Sequence, residues 1–425
     1  MRRFILHQLP RNPKTYISIL IASFVAVVVV HLFIRSGDYM QLLFKSYFTD
    51  NTYLGFFVTP IIFAAIVYID KRYFKYAGGS GIPQLIAATD SRNKAIRSMM
   101  LSFKIAGVKI VFVAIAMLGG ASVSFGGPSV HIGGSIFYNF ASLIKLKRKL
   151  LIHSVIAIGG SLGLIVAFNA PIAGLLFAYE EIGRKLKKQA LILIAICCGV
   201  IYLLFDMYFS SGFYLVDLSK LSFKLTLIWQ LLPVAILGGI LGGIFAKIAL
   251  FLITKFMFEK TIKVIILATL MGLVVALLNY ISNTQIAGTG YSETIMILEG
   301  KRLGIEFIIF KYLSTLASFL STIAGGLFMT SISIGAGIGS EISNIYQHIS
   351  PQVIIIMAMV AYLSGVIRAP LTSAFLVLEM TNSLNLLLPA IIVAFVSDWT
   401  SKQISEQPIY EAIAYNYLIL TKKNN

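Results

Sequence analysis

Charge is what this chain has least of. Asp, Glu, Lys and Arg supply 12% of its 425 residues, roughly half the share of an ordinary soluble protein at about 25%. Acidic residues are scarcer than basic ones, 17 against 35. Cysteine is confined to Cys197 and Cys198, adjacent within an apolar run. Neighbours in sequence are poor disulfide partners and carry no metal-ligand spacing, so both read as small core residues. No HExxH and no P-loop occur. The chain therefore carries no zincin or nucleotide-phosphate signature, and no enzyme, metal or cofactor is expected.

What is present in excess is apolar sequence. Hydrophobic residues reach 58% and mean hydropathy is +0.88. A soluble fold could not hide that much apolar surface. The composition predicts a polytopic membrane protein, with residues 1–425 forming a single transmembrane domain in contact with lipid. The net charge of +18 would point to nucleic acid in a soluble protein. Here the bases cluster between apolar segments, as at Lys71-Arg72, Arg92–Arg97 and Arg184–Lys188. That is the positive-inside pattern, and no nucleic-acid partner is expected. Met1–Tyr16 is basic with two prolines, and the run Ile17–Phe33 lacks a cleavage signal. It reads as a first spanning helix with a cytoplasmic N-terminus, in a bacterial inner membrane.

Further apolar runs cover 54–69, 98–122, 151–179, 189–208, 226–254, 263–281, 305–329, 352–379 and 385–397. Several are too short or too rich in Gly and Pro for a plain span of about 20 residues. The expected fold class is all-α, built of tilted and broken helices. Four glycine-rich breaks stand out: Ala77–Pro83, Ser124–Pro128, Gly288–Gly290 and Gly325–Thr330. Irregular backbone at membrane depth survives only where protein or a polar cavity covers it. Each break precedes a renewed helix, so each is expected to aim N–H groups and a positive helix end inward, which suits an anion. Gly134, Gly242 and Gly243 read instead as close-packing positions between helices.

A faint repeat runs through the chain. Ala170-Pro171-Ile172 with Glu180 echoes Ala369-Pro370-Leu371 with Glu379, and Ser129, Ile132 and Gly133 echo Ser331, Ile334 and Gly335. Paired breaks in two halves, roughly 1–215 and 216–415, fit a transporter whose substrate sits near mid-membrane. Ionisable residues inside apolar runs carry a cost. Glu180 and Glu181 read either as a helix-end ion pair with Arg184–Lys188 or as an inward proton acceptor. Glu379 reads as a structural acid bonded to a neighbouring break. Lys109 places a cation near an anion route, His131 reads as a satisfied structural histidine, and Glu341 caps or pairs near the fourth break. The Ser80 hydroxyl, flanked by glycines, can point into a cavity. Tyr410 follows the last apolar run and reads on position alone as an interfacial belt residue. Hydroxyls can bind an anion without holding it too tightly.

These residues resemble the CLC family of chloride channels and chloride/proton exchangers. Ala77–Gln84 (AGGSGIPQ) is similar to that family's GSGIP segment, and 167–181 and 368–381 are close matches. Residues 325–335 match the GIFAP segment less well, and Gln407–Ile413 is similar to the KPLY segment. The resemblance spans roughly 15–415. It implies an inverted two-half repeat and a homodimer with one chloride pathway per subunit. It also implies that cytoplasmic CBS domains are lacking after Tyr410. Ser80 and Tyr410 would donate hydroxyl hydrogen bonds to chloride, joined by the N–H groups of Leu327 and Phe328. Phe125, Gly126 and Gly127 would form an outer site, and N–H groups near Gly79 and Ser80 an inner one.

The departures matter as much as the matches. Gly126 stands where the family's gating glutamate resides, and Phe125 replaces a basic residue. Glycine can neither block nor carry a proton. Glu181 falls at the family's inner proton-transfer position without an outer partner. The expected function is passive chloride conduction without proton coupling. The alternatives are antiport through another group such as His131, or transport of another small anion such as nitrate or fluoride.

Overall fold

The computed structural model describes residues 13–48, 51–91, 93–143, 149–182, 199, 215–346 and 348–423. Arg184–Lys188, Cys197, Cys198 and nearly all of the run at 189–208 lie outside the described residues. The first part contains helices α1 (Pro13–Phe48), α2 (Gly55–Ile69), α3 (Ile82–Asp90), α4 (Lys94–Met100) and α5 (Phe103–Leu118). It continues with α6 (Gly126–Leu143), α7 (Lys149–Phe168) and α8 (Pro171–Phe177). The second contains α9 (Leu232–Met257), α10 (Thr261–Ile281), α11 (Tyr291–Leu298), α12 (Gly304–Leu320) and α13 (Phe328–Ile342). It ends with α14 (Pro351–Ile367), α15 (Pro370–Met380), α16 (Leu387–Ile404) and α17 (Ile409–Lys423). Among the described residues there is no strand, only an isolated antiparallel bridge between Ser124 and Gly326.

Length sorts these helices into two populations. The stretches Ile17–Phe48, Lys94–Leu118, Leu225–Met257, Thr261–Ile281 and Leu384–Ile404 are long and apolar enough to cross a bilayer, at 1.5 Å rise per residue. Inside them sit shorter helices. α14 is buried from Val353 through Ile367, the mark of a helix apolar on every face. It packs against α9, α13 and α16.

Close helix contact explains several of the glycines. A β-carbon at Gly335 would lie 2.6 Å from the Met359 backbone, where α13 crosses α14. At the equivalent crossing of α6 and α7, Gly133 abuts the Gly159 carbonyl. Gly134, Gly242 and Gly243 are packing positions too, against Leu85, Gly365 and Ser401 respectively. In a membrane, where burial from water cannot hold helices together, such approach is a main source of association.

The two halves exchange carboxylates. Glu180 accepts hydrogen bonds from Leu371 N (2.9 Å) and Thr372 N (2.7 Å), the first N–H groups of α15. Glu379 accepts from Ile172 N (2.9 Å) and Ala173 N (2.8 Å) at the start of α8. Both helices begin with Pro after an Ala, and both follow a residue with positive φ, Asn169 (51°) and Arg368 (59°). Reciprocal contact of this kind is what a twofold relation between repeats produces. The faint sequence repeat is thus a structural inverted repeat. Each carboxylate faces the positive end of a helix from the opposite half.

This arrangement makes a thermodynamic prediction. Glu379→Gln keeps one acceptor but removes the charge, and should cost about 1–2 kcal/mol. A lowered thermal midpoint in detergent, with secondary structure retained at low temperature, is the expected reading.

Candidate functional site

Three of the four breaks converge. The first is held from both sides. Asp70 Oδ1 accepts from Ala77 N (2.9 Å) and Gly78 N (3.0 Å). Lys109 Nζ, fully buried on α5, donates to Ala77 O (2.7 Å), Gly78 O (3.1 Å) and Gly79 O (3.0 Å). An ammonium has three donors, and all three go to this loop. Lys109 is therefore a staple of the break rather than a bare cation offered to an anion. Gly79 and Gly81 take φ of 66° and 96°, angles at which an L side chain is strained. This turn throws the Ser80 side chain inward, where its hydroxyl is buried.

The second and fourth breaks meet at the Ser124–Gly326 bridge. Ser124 N donates to Gly326 O (2.9 Å) and Gly326 N to Ser124 O (2.7 Å). Ser124 Oγ accepts from Gly126 N (3.3 Å) and Met329 N (3.1 Å), one orphan N–H from each helix start. The first break joins them through Gly79 N, which donates to Thr322 O and Ile323 O at 3.1 Å each. Gly127 backs directly onto Ser80, because a β-carbon there would collide with Ser80 Oγ.

Tyr410, the second residue of α17, is fully buried, which corrects its reading as a belt tyrosine. Its ring stacks on Phe328 with centroids 6.4 Å apart and planes at 15°. The Ser80 and Tyr410 hydroxyls approach each other without closing a hydrogen bond of normal geometry. Each is therefore a buried hydroxyl whose donor is not spent within the protein. Arg368 sets the approach to Tyr410 by donating to Ser405 O (3.1 Å) and Glu406 O (2.9 Å) just before α17. A cavity of about 220 Å³ is lined by Ser80, Gln84 and Tyr417, with Lys71 and Lys75 balanced by Asp70 and Glu259.

Several expectations change. The Gly79 N–H does not face an ion, since the Thr322 and Ile323 carbonyls take it. The Gly126 N–H is partly engaged by Ser124 Oγ. Leu327 supplies no side-chain cap of its own to α13, and the side-chain oxygen at this helix start is Ser124 Oγ, which takes Met329 N. Phe125 is not at an outer mouth. Its ring is buried, edge-on to Phe33 at 5.5 Å and pressed against Gly37.

The third break is filled by protein rather than aimed at an ion. Thr289 N donates to Gln41 Oε1 (3.2 Å), and Lys311 Nζ donates to Ile286 O (2.8 Å) and Gly288 O (2.7 Å). Lys311 is the second-half counterpart of Lys109. Glu180 caps α15, so it is not simply a surface ion-pair member. Glu181 is buried and electrostatically close to Tyr410. His131 Nε2 donates to Met100 O at 2.9 Å and is fully buried. Glu341 lies at the far end of α13 from the break, lining an apolar groove with Leu241 and Ile309.

Sequence reading misses Asp70, Ser124, Phe168, Lys311 and Arg368. A buried acid next to a buried base near one loop is the available signal for Asp70. It also passes over Gly159–Gly163, which has the GxSxG spacing of a hydrolase nucleophile elbow. That run lies inside α7, whereas the elbow requires a strand-to-helix turn.

The Lys109 staple is testable. Lys109→Met leaves three buried carbonyls and the Asp70 carboxylate without their cation. Breaking a buried charge cluster costs about 3–5 kcal/mol, so the variant should lose its monodisperse gel-filtration peak.

Comparison with known proteins places this architecture. The fold matches a slow cyanobacterial Cl⁻/H⁺ antiporter with a TM-score of 0.84 at 21% identity, covering 98% of this chain and 100% of that one. It matches a CLC-type fluoride/proton antiporter with a TM-score of 0.76 at 18% identity, over 93% and 96% of the two chains. A eukaryotic CLC transporter aligns with a TM-score of 0.73 at 19% identity, over 95% of this chain and 75% of that one. Residues 62–402 match the family described as voltage gated chloride channel. The convergent breaks, the inverted repeat and this match together make the chain a multi-pass membrane protein of the voltage-gated chloride channel (CLC) family, a family of anion transporters.

Proposed function

We propose that this chain passes chloride down its electrochemical gradient without moving protons. The observation that carries the reading is Gly126 at the first position of α6. Antiport needs a group that alternates between holding a proton and leaving room for the anion. Glycine has no such group. Glu181 is buried beside Tyr410, but a proton delivered there has no carboxylate at 126 to receive it. His131 does not replace it in this reading, because Nε2 is held by the Met100 carbonyl and the buried Nδ1 has no hydrogen-bond partner to pass a proton to.

In this reading the anion enters through the cavity that Ser80 lines and meets the Ser80 and Tyr410 hydroxyls. It then passes the N-terminal turns of α13 and α6. Neutral donors and helix ends hold it weakly enough for release. Chloride ranks above fluoride because Ser80 resembles the family's chloride-type residue. We further propose a homodimer in a bacterial inner membrane, with the N-terminus cytoplasmic and no cofactor.

The test is simultaneous recording of chloride and proton movement from chloride-loaded liposomes after a potassium ionophore releases the counter-current. Chloride efflux without proton movement supports the reading. Stoichiometric opposite proton flow overturns it. In the same preparation, chloride affinity measured by calorimetry should weaken about thirtyfold in the double variant Ser80→Ala/Tyr410→Phe. Each lost donor bond is worth roughly 1 kcal/mol, and 1.4 kcal/mol is about tenfold.

A further inference from the structure

We infer that Phe168 is the outer gate of this pathway, its ring standing in the volume that a side chain at position 126 would need. The inference rests on the transport reading above and adds the part that controls access.

The packing carries it. Phe168 is the last residue of α7, buried, and followed by Asn169 in the left-handed region. A β-carbon built on Gly126 would lie 2.6 Å from Phe168 Cε2 and 2.8 Å from Phe168 Cζ. Those distances are well inside carbon–carbon contact at about 3.5–4.0 Å, and the atoms in the way belong to a rigid ring. The same β-carbon would also touch Phe328 Cβ at 3.4 Å. Position 126 and Phe168 are therefore a matched pair, glycine on one side and a ring on the other. The site vacated by a carboxylate is not an open hole.

The ring continues into the rest of the site. Phe168 lies 6.0 Å from Phe328, and Phe328 stacks on Tyr410. Phe177 meets Phe328 edge-on at 6.0 Å. Phe168, Gly126 and Tyr410 do not line the cavity that reaches Ser80, so the ring is no part of that cavity's wall.

The chemistry of such a gate differs from that of a carboxylate. A carboxylate competes with the anion by charge and yields to protons. A benzene ring excludes by volume alone, and Cε2 and Cζ present its electropositive edge toward Gly126. Passage then needs rotation of the ring or a shift at the Asn169 hinge. The block should be indifferent to pH over the range in which a carboxylate titrates.

The experiment is liposome chloride flux of the parent, Phe168→Ala, Phe168→Leu, Gly126→Glu and Gly126→Glu/Phe168→Ala. Each is first checked for its gel-filtration profile, and each is measured across the carboxylate titration range. Phe168→Ala should pass chloride about tenfold faster than the parent, the change that roughly 1.4 kcal/mol off a barrier gives. Phe168→Leu should fall between, and all three should show flat pH profiles. Gly126→Glu alone should misassemble or stay flat with pH. The double variant should assemble and acquire flux that rises as pH falls.

Unchanged or slower flux in well-assembled Phe168→Ala and Phe168→Leu overturns the gate. So does pH-dependent flux in Gly126→Glu with Phe168 intact. A silent parent with an active Phe168→Ala keeps the gate and overturns passive conduction by the native chain. Silence in both overturns the transport reading and the gate with it.

Discussion

A helix that starts inside a membrane leaves its first N–H groups with no water to bind, and every feature of this site follows from that constraint. The chain begins helices at Ile82, Gly126, Phe328, Pro171 and Pro370 within its interior. It meets the resulting demand in two ways. At Pro171 and Pro370 a carboxylate from the other half supplies the missing acceptor. At Gly126 and Phe328 the side-chain oxygen supplied, among the described residues, is Ser124 Oγ, which takes one N–H from each start. The first pair is thereby closed and structural. The second shares one serine hydroxyl in place of a carboxylate.

The loops that enter these helices need the opposite treatment, because their carbonyls are exposed. Lys109 and Lys311 answer this in the two halves by donating to the carbonyls of the breaks at 77–79 and 286–288. The same device has different outcomes. In the first half Ser80 is left with a buried hydroxyl facing Tyr410. In the second, Gln41 fills the loop and Ser333 packs against Gly290. The first break thus contributes Ser80 to the candidate site beside Tyr410 and Phe328 of the other half, while the third break is closed by side chains. The third partner is aromatic: Phe168, Phe328 and Tyr410 line up so that the space beside Gly126 is filled by rings rather than by charge.

Much of this is legible in the amino-acid sequence. Low charge and high hydropathy decide the environment, and glycine-rich interruptions of apolar runs mark where helices break. The Pro-to-Glu spacing exposes the repeat, and Ser80 stands out as a hydroxyl between glycines, whereas Tyr410 reads by position alone as a belt residue. What misleads is reading each break alone. Gly288–Gly290 looks like the others in sequence, but Gln41 and Lys311, far away in the chain, determine that it holds protein. Phe125 looks like a mouth residue until Gly37 provides the surface on which its ring lies. Glu341 looks close to a break because sequence distance ignores that a straight helix carries its ends apart.

By itself the sequence determined the class of protein, the places where helices must break, and the absence of a titratable group at position 126. Those are properties of single residues and local runs, set by hydropathy and backbone freedom. Only the tertiary structure decided which breaks converge, which acids cap which helices, and what occupies the volume beside Gly126. Each of these is a contact between residues remote in the chain, and close packing leaves no space beside a glycine that some other side chain does not claim. Phe168 is an ordinary aromatic at a helix end when read in sequence. Its importance exists only because folding places its ring against a glycine with no side chain to push it away.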